Sequence, residues 1–169
     1  MELNDKIRAI MVVDETQIRG FFGDYRWLSN FHSATIEFEG LTYPSSEAAY
    51  QAAKTLDEEQ RKTFTKVTPG DSKIMGRLVS LRSDWEQVKD DIMYRILIYK
   101  FTKHPELGQA LLDTGDKYLE ETNYWNDTYW GVCKDLGQNK LGKLLMKIRE
   151  ELFFENHKTR PYDPNKDNR

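Results

Sequence analysis

Apolar positions recur along this chain with two periods, near two and near three and a half, and the switches between them mark its elements. Ile7 to Val13 is a short apolar run with β-branched residues and predicts a strand. Gln17 to Phe22 predicts a second strand that pairs with it across Asp14-Glu15-Thr16. Gly23 to Phe31 is aromatic without a clean period, which suits a loop with buried anchors. Ala34 to Phe38 and Leu41 to Tyr43 alternate around Glu39-Gly40, a hairpin signal. From Pro44 the pattern turns helical, with Ser45 or Ser46 capping a helix that runs to Lys54. Thr68-Pro69-Gly70-Asp71 reads as a cap with proline at the first helical position. Ser83-Asp84 opens a longer helix in which Trp85, Val88, Ile92, Ile96 and Tyr99 recur at three- and four-residue steps. His104-Pro105 interrupts it, and Leu107 to Asp113 predicts a short helix closed by Gly115. Lys117 to Glu121 suits a strand, and Asn123 to Gly137 a loop. A last helix after Asn139 puts Leu141, Leu144, Leu145, Ile148 and Leu152 on one face. Glu155 to Arg169 has two prolines, mixed charges and almost no apolar content, the signature of a disordered tail. These elements predict an α+β fold, mainly helical, with a small N-terminal sheet or hairpin. Residues 1–154 are expected to form one domain and 155–169 the tail.

The length of 169 residues suffices for a core of its own. Aromatic residues make up 12%, which argues against disorder of the whole chain. Lys and Arg number 25 against 28 Asp and Glu, a net charge of −3 that disfavours a nucleic-acid coat or polybasic membrane anchor. Cys133 is the only cysteine, which excludes an intramolecular disulfide and a CxxC zinc site. His32, His104 and His157 lie far apart, so no metal and no cofactor are expected, and no role is given to these histidines. No apolar stretch reaches the roughly 18–20 residues of a membrane span, and the polar, acidic start is unlike a signal peptide. A cytoplasmic protein is the expectation.

Chemistry concentrates in two places. On the helix after Pro44, Glu47, Gln51 and Lys54 fall on one stripe, flanked by Ala48, Ala49, Ala52 and Ala53. Glu47 and Lys54 are two turns apart, roughly 10 Å along the axis, and the long lysine stem leans back toward the helix start. A carboxyl and an amine aimed at one cavity can serve as general acid and nucleophile. The same two residues also fit an ordinary first-turn acid and a solvated lysine. The second place is Asn123-Tyr124-Trp125-Asn126-Asp127-Thr128-Tyr129-Trp130-Gly131. Four large aromatics interleaved with Asn and Asp suit a pocket that stacks a planar base and contacts sugar hydroxyls, with Asp127 as carboxylate partner to Glu47. The alternative is a loop whose Asn and Asp make local turns while its tryptophans plug the core. Trp85 reads as a stacking wall or as core. Cys133 beside Lys134 reads as an activated thiol or as an incidental buried one. Gly137-Gln138-Asn139, ahead of a helix, could receive a phosphate.

Taken together these residues resemble the NADAR superfamily. Leu28-Ser29-Asn30-Phe31 matches its motifs, as do Tyr43-Pro44-Ser45-Ser46-Glu47 with Gln51 and Lys54, and Asp84-Trp85. Asp127-Thr128-Tyr129-Trp130-Gly131, Gly137-Gln138-Asn139-Lys140-Leu141-Gly142 and Leu145-Met146-Lys147-Ile148-Arg149 follow in order, so the match runs from about Arg19 to Leu152. The resemblance implies a compact, mainly helical fold without a metal, and N-glycosidase activity on ribosyl compounds. Family members act on phosphorylated riboflavin-pathway intermediates or remove ADP-ribose from modified guanine in nucleic acid. Ala48-Ala49-Tyr50 stands where riboflavin-type members carry His and aromatics, and Asn123 to Asp127 is closer to the ADP-ribose-acting branch. The favoured substrate is therefore ADP-ribosyl guanine, as nucleotide or nucleic acid. A riboflavin-type ribosyl phosphate is the alternative, and a non-catalytic ADP-ribose reader or an interaction domain are further rivals. The roles implied are Glu47 as proton donor, Lys54 as a nucleophile forming a Schiff base, and Asp127 as the residue that positions a ribose hydroxyl or activates water. Trp85 and Trp130 would stack bases, and Arg19, Asn30 and Ser46 would contact phosphate or ribose. Gly131 joins the binding set as the end of its motif.

Overall fold

The computed structural model describes residues 1–158. In chain order they form α1 (Leu3–Ile10), β1 (Val12–Val13), β2 (Gln17–Arg19), β3 (Ser33–Phe38), β4 (Leu41–Ser45), α2 (Ser46–Ala52), α3 (Glu58–Lys62), α4 (Pro69–Met75), α5 (Trp85–Lys103), α6 (Pro105–Asp113), β5 (Tyr118–Glu120) and α7 (Lys140–Lys158). Two 3₁₀ turns, Gly23–Leu28 and Thr63–Lys66, fill the longer connections. The fold is thus α+β and mainly helical.

The hairpin β3–β4 follows from its turn. Glu39 and Gly40 both have positive φ, 46° and 86°, the conformation a two-residue hairpin loop requires. Phe38 then faces Leu41 and Ile36 faces Tyr43 in the ladder. Ala34, Ile36 and Phe38 alternate inward against the core, with polar neighbours outward.

The N-terminus departs from expectation. Ile7 to Val13 is not one strand, because Leu3, Ile7 and Ile10 continue a helical stripe that the window starting at Ile7 cuts in half. Within that run Val12–Val13 forms the strand, pairing antiparallel with β2. The Asp14 carboxylate accepts from Thr16 N at 2.7 Å and Gln17 N at 3.1 Å, closing the turn between them. Strand β2 also pairs in parallel with β5, Ile18 beside Leu119, so the sheet draws a strand from the C-terminal third.

The long helix α5 runs through the core, burying Trp85, Ile92, Met93, Ile96, Leu97 and Phe101. Helix α7 closes the other side with Leu141, Leu145 and Ile148. It continues through Lys158, so Glu155 to Lys158 are helical rather than disordered. The remainder of the expected tail lies outside the described residues.

Candidate active site

Helix α2 is the wall from which the site is built. Ser45 Oγ accepts from Ala48 N at 3.1 Å, which identifies Ser45 as the cap. Glu47 N donates to the Asn30 carbonyl at 3.1 Å, tying the helix start to the corner after the first 3₁₀ turn. Every residue of α2 is buried, and its alanines let α4, α5 and the β3–β4 hairpin pack against it. The helix ends at Ala52, earlier than the sequence predicts. Lys54 follows in a tightened turn, its N–H donating to Gln51 O, while its carbonyl accepts from Arg82 N at 2.8 Å. That tertiary anchor draws the chain away from the helix axis.

Glu47 and Lys54 both line one cavity of about 600 Å³. Its other charged or polar walls include Arg26, Asn30, Gln51, Lys73, Glu121 and Asp127. Phe22, Tyr50, Trp125 and Trp130 supply aromatic surface. Gln51 Nε2 donates to Glu47 Oε1 at 2.8 Å and fixes the rotamer of the acid. Burial pushes the Glu47 carboxyl up from its ordinary pKa, against the pull of Gln51, Lys73 and Lys54. Burial moves the Lys54 amine down, with the Glu47 charge opposing and Arg77, Lys73 and Lys89 assisting. The amine lies 5.8 Å from the centroid of Tyr50 and 6.0 Å from that of Trp85, the outer edge of cation–π range.

The opposite wall is the loop from Asn123 to Gly137, and its shape is set by side-chain amides. Asn123 Oδ1 accepts from Trp125 N and Asp127 N, and its Nδ2 donates to Asp127 O at 2.8 Å. Asp127 Oδ1 in turn accepts from Tyr129 N and Trp130 N, at 3.1 and 2.9 Å. Trp130 lies edge-on to Tyr50 at 5.5 Å and donates from Nε1 to its hydroxyl. Loop and helix therefore meet through one aromatic contact beside the cavity.

The structure brings Glu47, Lys54, Asp127, Asn30 and Trp130 to this cavity and leaves four expected residues off its wall. Arg19 lies on β2, paired with Glu120 at 3.9 Å. Ser46 is wholly buried in α2, its Oγ without a partner. Trp85 packs against Tyr50 at 5.1 Å as part of the core, so its ring stands behind the wall. Gly131 allows close approach, since a Cβ there would sit 2.2 Å from the Glu121 carbonyl. The phosphate cradle expected at Gly137-Gln138-Asn139 is not formed. The N–H groups of Gln138, Asn139, Lys140 and Leu141 all donate to loop carbonyls, and Asn139 turns its amide onto Leu119 O and Glu121 N. Cys133 is buried, its Sγ 3.7 Å from Asn126 Oδ1, and does not line the cavity.

Glu121, Lys73 and Arg26 are wall residues that the sequence reading passes over. Glu121 ends the predicted strand, where an acid looks like a solvated terminus. Lys100 is another residue that a lysine's usual solvated place leaves unmarked in sequence, although it continues the four-residue step Ile92, Ile96 of α5 into the interior. It is fully buried, donates to Ser29 O at 2.9 Å, and has its pKa lowered by burial to about 7.

With that geometry established, the chain matches the NADAR domain over residues 19–153 and belongs to this family. It is 43% identical over 137 residues to the N-glycosidase YbiA of Escherichia coli, covering 78% of this chain and 84% of that one. The NMR structure of E. coli YbiA superposes with a TM-score of 0.77 at 38% identity, over 93% of this chain and 96% of that one. The N-glycosidase Npun_R5314 of Nostoc punctiforme is 34% identical over 135 residues, 76% of this chain and 86% of that protein. The chloroplastic riboflavin biosynthesis protein PYRR of Zea mays is 31% identical over 161 residues, 82% of this chain but 26% of the maize protein.

Proposed function

We propose that this protein is an N-glycosidase that hydrolyses the bond between a base and a phosphorylated ribosyl group, with ADP-ribosyl guanine as the preferred substrate. The observation that carries this reading is the pairing of Glu47 and Lys54 in one cavity, where burial favours a protonated acid and an unprotonated amine. Those are the states that proton donation and nucleophilic attack require. A protein that only reads ADP-ribose needs neither.

Charge in the cavity favours an anionic substrate. Arg26 and Lys73 share the wall with Glu47, Glu121 and Asp127, and both glutamates are displaced toward their neutral forms. Lys73 stands 5.3 Å from the Trp125 ring, so a cation and a stacking surface adjoin on one side. That suits a phosphate next to a base.

In the proposed reaction Glu47 donates its proton to the departing base as the carbon–nitrogen bond breaks, and the bonding pair leaves with the nitrogen. The Lys54 amine bonds to the anomeric carbon and loses its proton, and the ring oxygen accepts one as the sugar opens to an imine. Water then adds to the imine carbon, the carbon–lysine bond breaks, and free sugar and amine are restored. Asp127 holds a ribose hydroxyl or the attacking water. The name of the maize relative favours a second substrate, a riboflavin-type ribosyl phosphate.

The test incubates the protein with ADP-ribosylated guanine oligonucleotide and with a riboflavin-pathway ribosyl phosphate, with and without borohydride. Release of ADP-ribose from the first substrate, and a reduced adduct at Lys54 that is absent from Lys54→Arg, are expected. Turnover without an adduct, retained in Lys54→Arg, would replace the lysine route with direct attack by water. Binding of both compounds without cleavage would make the protein a reader.

A further inference from the structure

Glu121 is the lining residue for which the proposed reaction has no use, and its backbone is fixed from three directions. Its N–H donates to Asn139 Oδ1 at 3.0 Å, its carbonyl accepts from Val132 N at 2.9 Å, and the Asn123 amide touches that carbonyl at 3.5 Å. The side chain passes over Gly131, where a Cβ would come within 3.0 Å of Glu121 Cγ, so any larger residue at 131 would displace it. So constrained, the carboxyl carries an Oε2 that is sealed from solvent and has no hydrogen-bond partner in the protein. Buried polar atoms are rarely left so, because the penalty for an unmade bond is large. Asn30 Oδ1 and Gln51 Oε1 are likewise buried and unpartnered, and they too belong to residues lining this cavity. Gln51 Oε1 is packed against Gly76, where a Cβ would sit 1.9 Å from it, which leaves Glu121 Oε2 and Asn30 Oδ1 as the atoms whose partner a ligand in the cavity would supply.

What Glu121 offers a ligand depends on its proton. The charged groups facing it are Asp127 from the loop, Glu47 from α2, Lys73 from α4 and Lys100 from α5, with Lys54 and Arg26 elsewhere on the wall. Burial dominates, and the Asp127 and Glu47 charges add to it, against the two lysines, raising the pKa to about 8. At neutral pH the group is an acid with a proton to donate. Asp127 contributes its carboxylate to the same cavity, and the Asn123 amide reaches the carbonyls of both residues. A hydroxyl lying between a carboxylic acid and a carboxylate can accept from one and donate to the other.

We propose that Glu121 is a substrate-binding residue that keeps its proton in the working protein and donates it in a hydrogen bond to a ribose hydroxyl, which donates in turn to Asp127. This rests on the N-glycosidase reading, because it presumes a ribosyl ligand in the cavity. No proton is transferred and no bond is broken at Glu121, so its part is recognition.

The experiment is calorimetric titration of the full chain with ADP-ribose from pH 6 to 9.5, for wild type, Glu121→Gln and Glu121→Met, each checked for native near-ultraviolet circular dichroism. Wild-type affinity should be flat below pH 7.5 and fall about tenfold per unit above pH 8, as the donor becomes a carboxylate. Glu121→Gln keeps a donor of the same shape that does not titrate. It should bind within a few-fold of wild type at pH 6.5 and lose the alkaline fall. Glu121→Met, without a donor, should bind about tenfold or more weakly at every pH. An alkaline fall that persists in Glu121→Gln belongs to Lys54 or Lys100 and overturns the proposal, as does wild-type affinity in Glu121→Met. A wild type without an alkaline fall overturns it without recourse to any variant. If turnover of the oligonucleotide is intact while these results go against Glu121, this inference alone fails. If wild type neither binds ADP-ribose nor cleaves either substrate, the N-glycosidase reading fails and takes this one with it.

Discussion

The two walls of the cavity are held in opposite ways. Helix α2 is stabilised by close packing, since all its residues are buried and small side chains bring neighbouring helices near. The Asn123–Gly137 loop leaves Tyr124, Trp125 and Leu136 exposed and depends on polar anchors: Asn123, Asp127, Asn139 and the donors at the start of α7. Asn126, Lys134, Asp135 and Asn139 all have positive φ, a conformation that costs most non-glycine residues free energy and must be imposed by those anchors. The packed wall presents Glu47, with Lys54 just beyond its end, the acid and the nucleophile of the proposed reaction. The anchored wall presents Asp127 and most of the exposed aromatic surface, which must receive a ligand.

The contrast is broken most severely by removing chemistry while leaving both walls standing. Glu47→Gln keeps an acceptor for Gln51 Nε2 and nearly the same volume, but it has no proton to give. Turnover should fall by about 10²–10⁴ with the melting temperature and ADP-ribose affinity retained. Asp127→Asn is the matching change in the loop. Its amide oxygen can still accept from Tyr129 N and Trp130 N, so the loop should hold while substrate affinity drops. A folded Glu47→Gln with near-normal rate would end the assignment of Glu47 as the acid.

Damage to the anchors comes next. Asn123→Ala removes an acceptor for two N–H groups and the donor to Asp127 O, leaving part-buried backbone groups unpaired. The loss should be about 2–3 kcal/mol in urea denaturation, with KM raised more than kcat is lowered. A kcat loss as large as that of Glu47→Gln, with KM unchanged, would mean that the loop serves chemistry rather than binding.

The smallest effect tests the packed wall. A Cβ at Gly76, just after α4, would meet Gln51 Oε1 at 1.9 Å, and the Gly76 backbone is itself helical. Gly76→Ala should therefore act by pushing Gln51, which orients Glu47, rather than by backbone strain. A cost of about 1 kcal/mol in stability and a several-fold fall in kcat with KM unchanged are expected. Unchanged kinetics in a destabilised variant would show that Gln51 does not orient the acid.

Much of this was legible from local pattern. The Glu39-Gly40 turn, a serine cap at Ser45 or Ser46, the α5 and α7 stripes and the Gly115 helix stop follow from rules that act within a few residues. The N-terminus differs from expectation for a local reason too: its helical stripe begins at Leu3, ahead of the apolar run that suggests a strand. Spacing alone leaves Glu47, Lys54 and Asp127 open to ordinary structural readings, and it is the resemblance to the NADAR superfamily that singles them out. Trp85 is ambiguous in sequence, since an aromatic opening an amphipathic helix serves equally as core or as wall, and the fold buries it against Tyr50 with the Lys54 amine 6.0 Å from its ring.

By itself the sequence determined the order of elements, the faces they bury and the residue types available for glycoside chemistry, because propensity, capping and periodicity are properties of short segments. Tertiary structure decided what each polar group can do. The donors ahead of α7 are available in sequence, but the folded loop takes them with its own carbonyls. Glu121 is an ordinary acid at the end of a strand until Asn123, Gly131 and Asn139 fix its position and its Oε2 is closed off from water, on a cavity wall shared with Asp127. Desolvation and charge coupling depend on neighbours distant in the chain, so protonation and ligand affinity are set only when the fold closes around them.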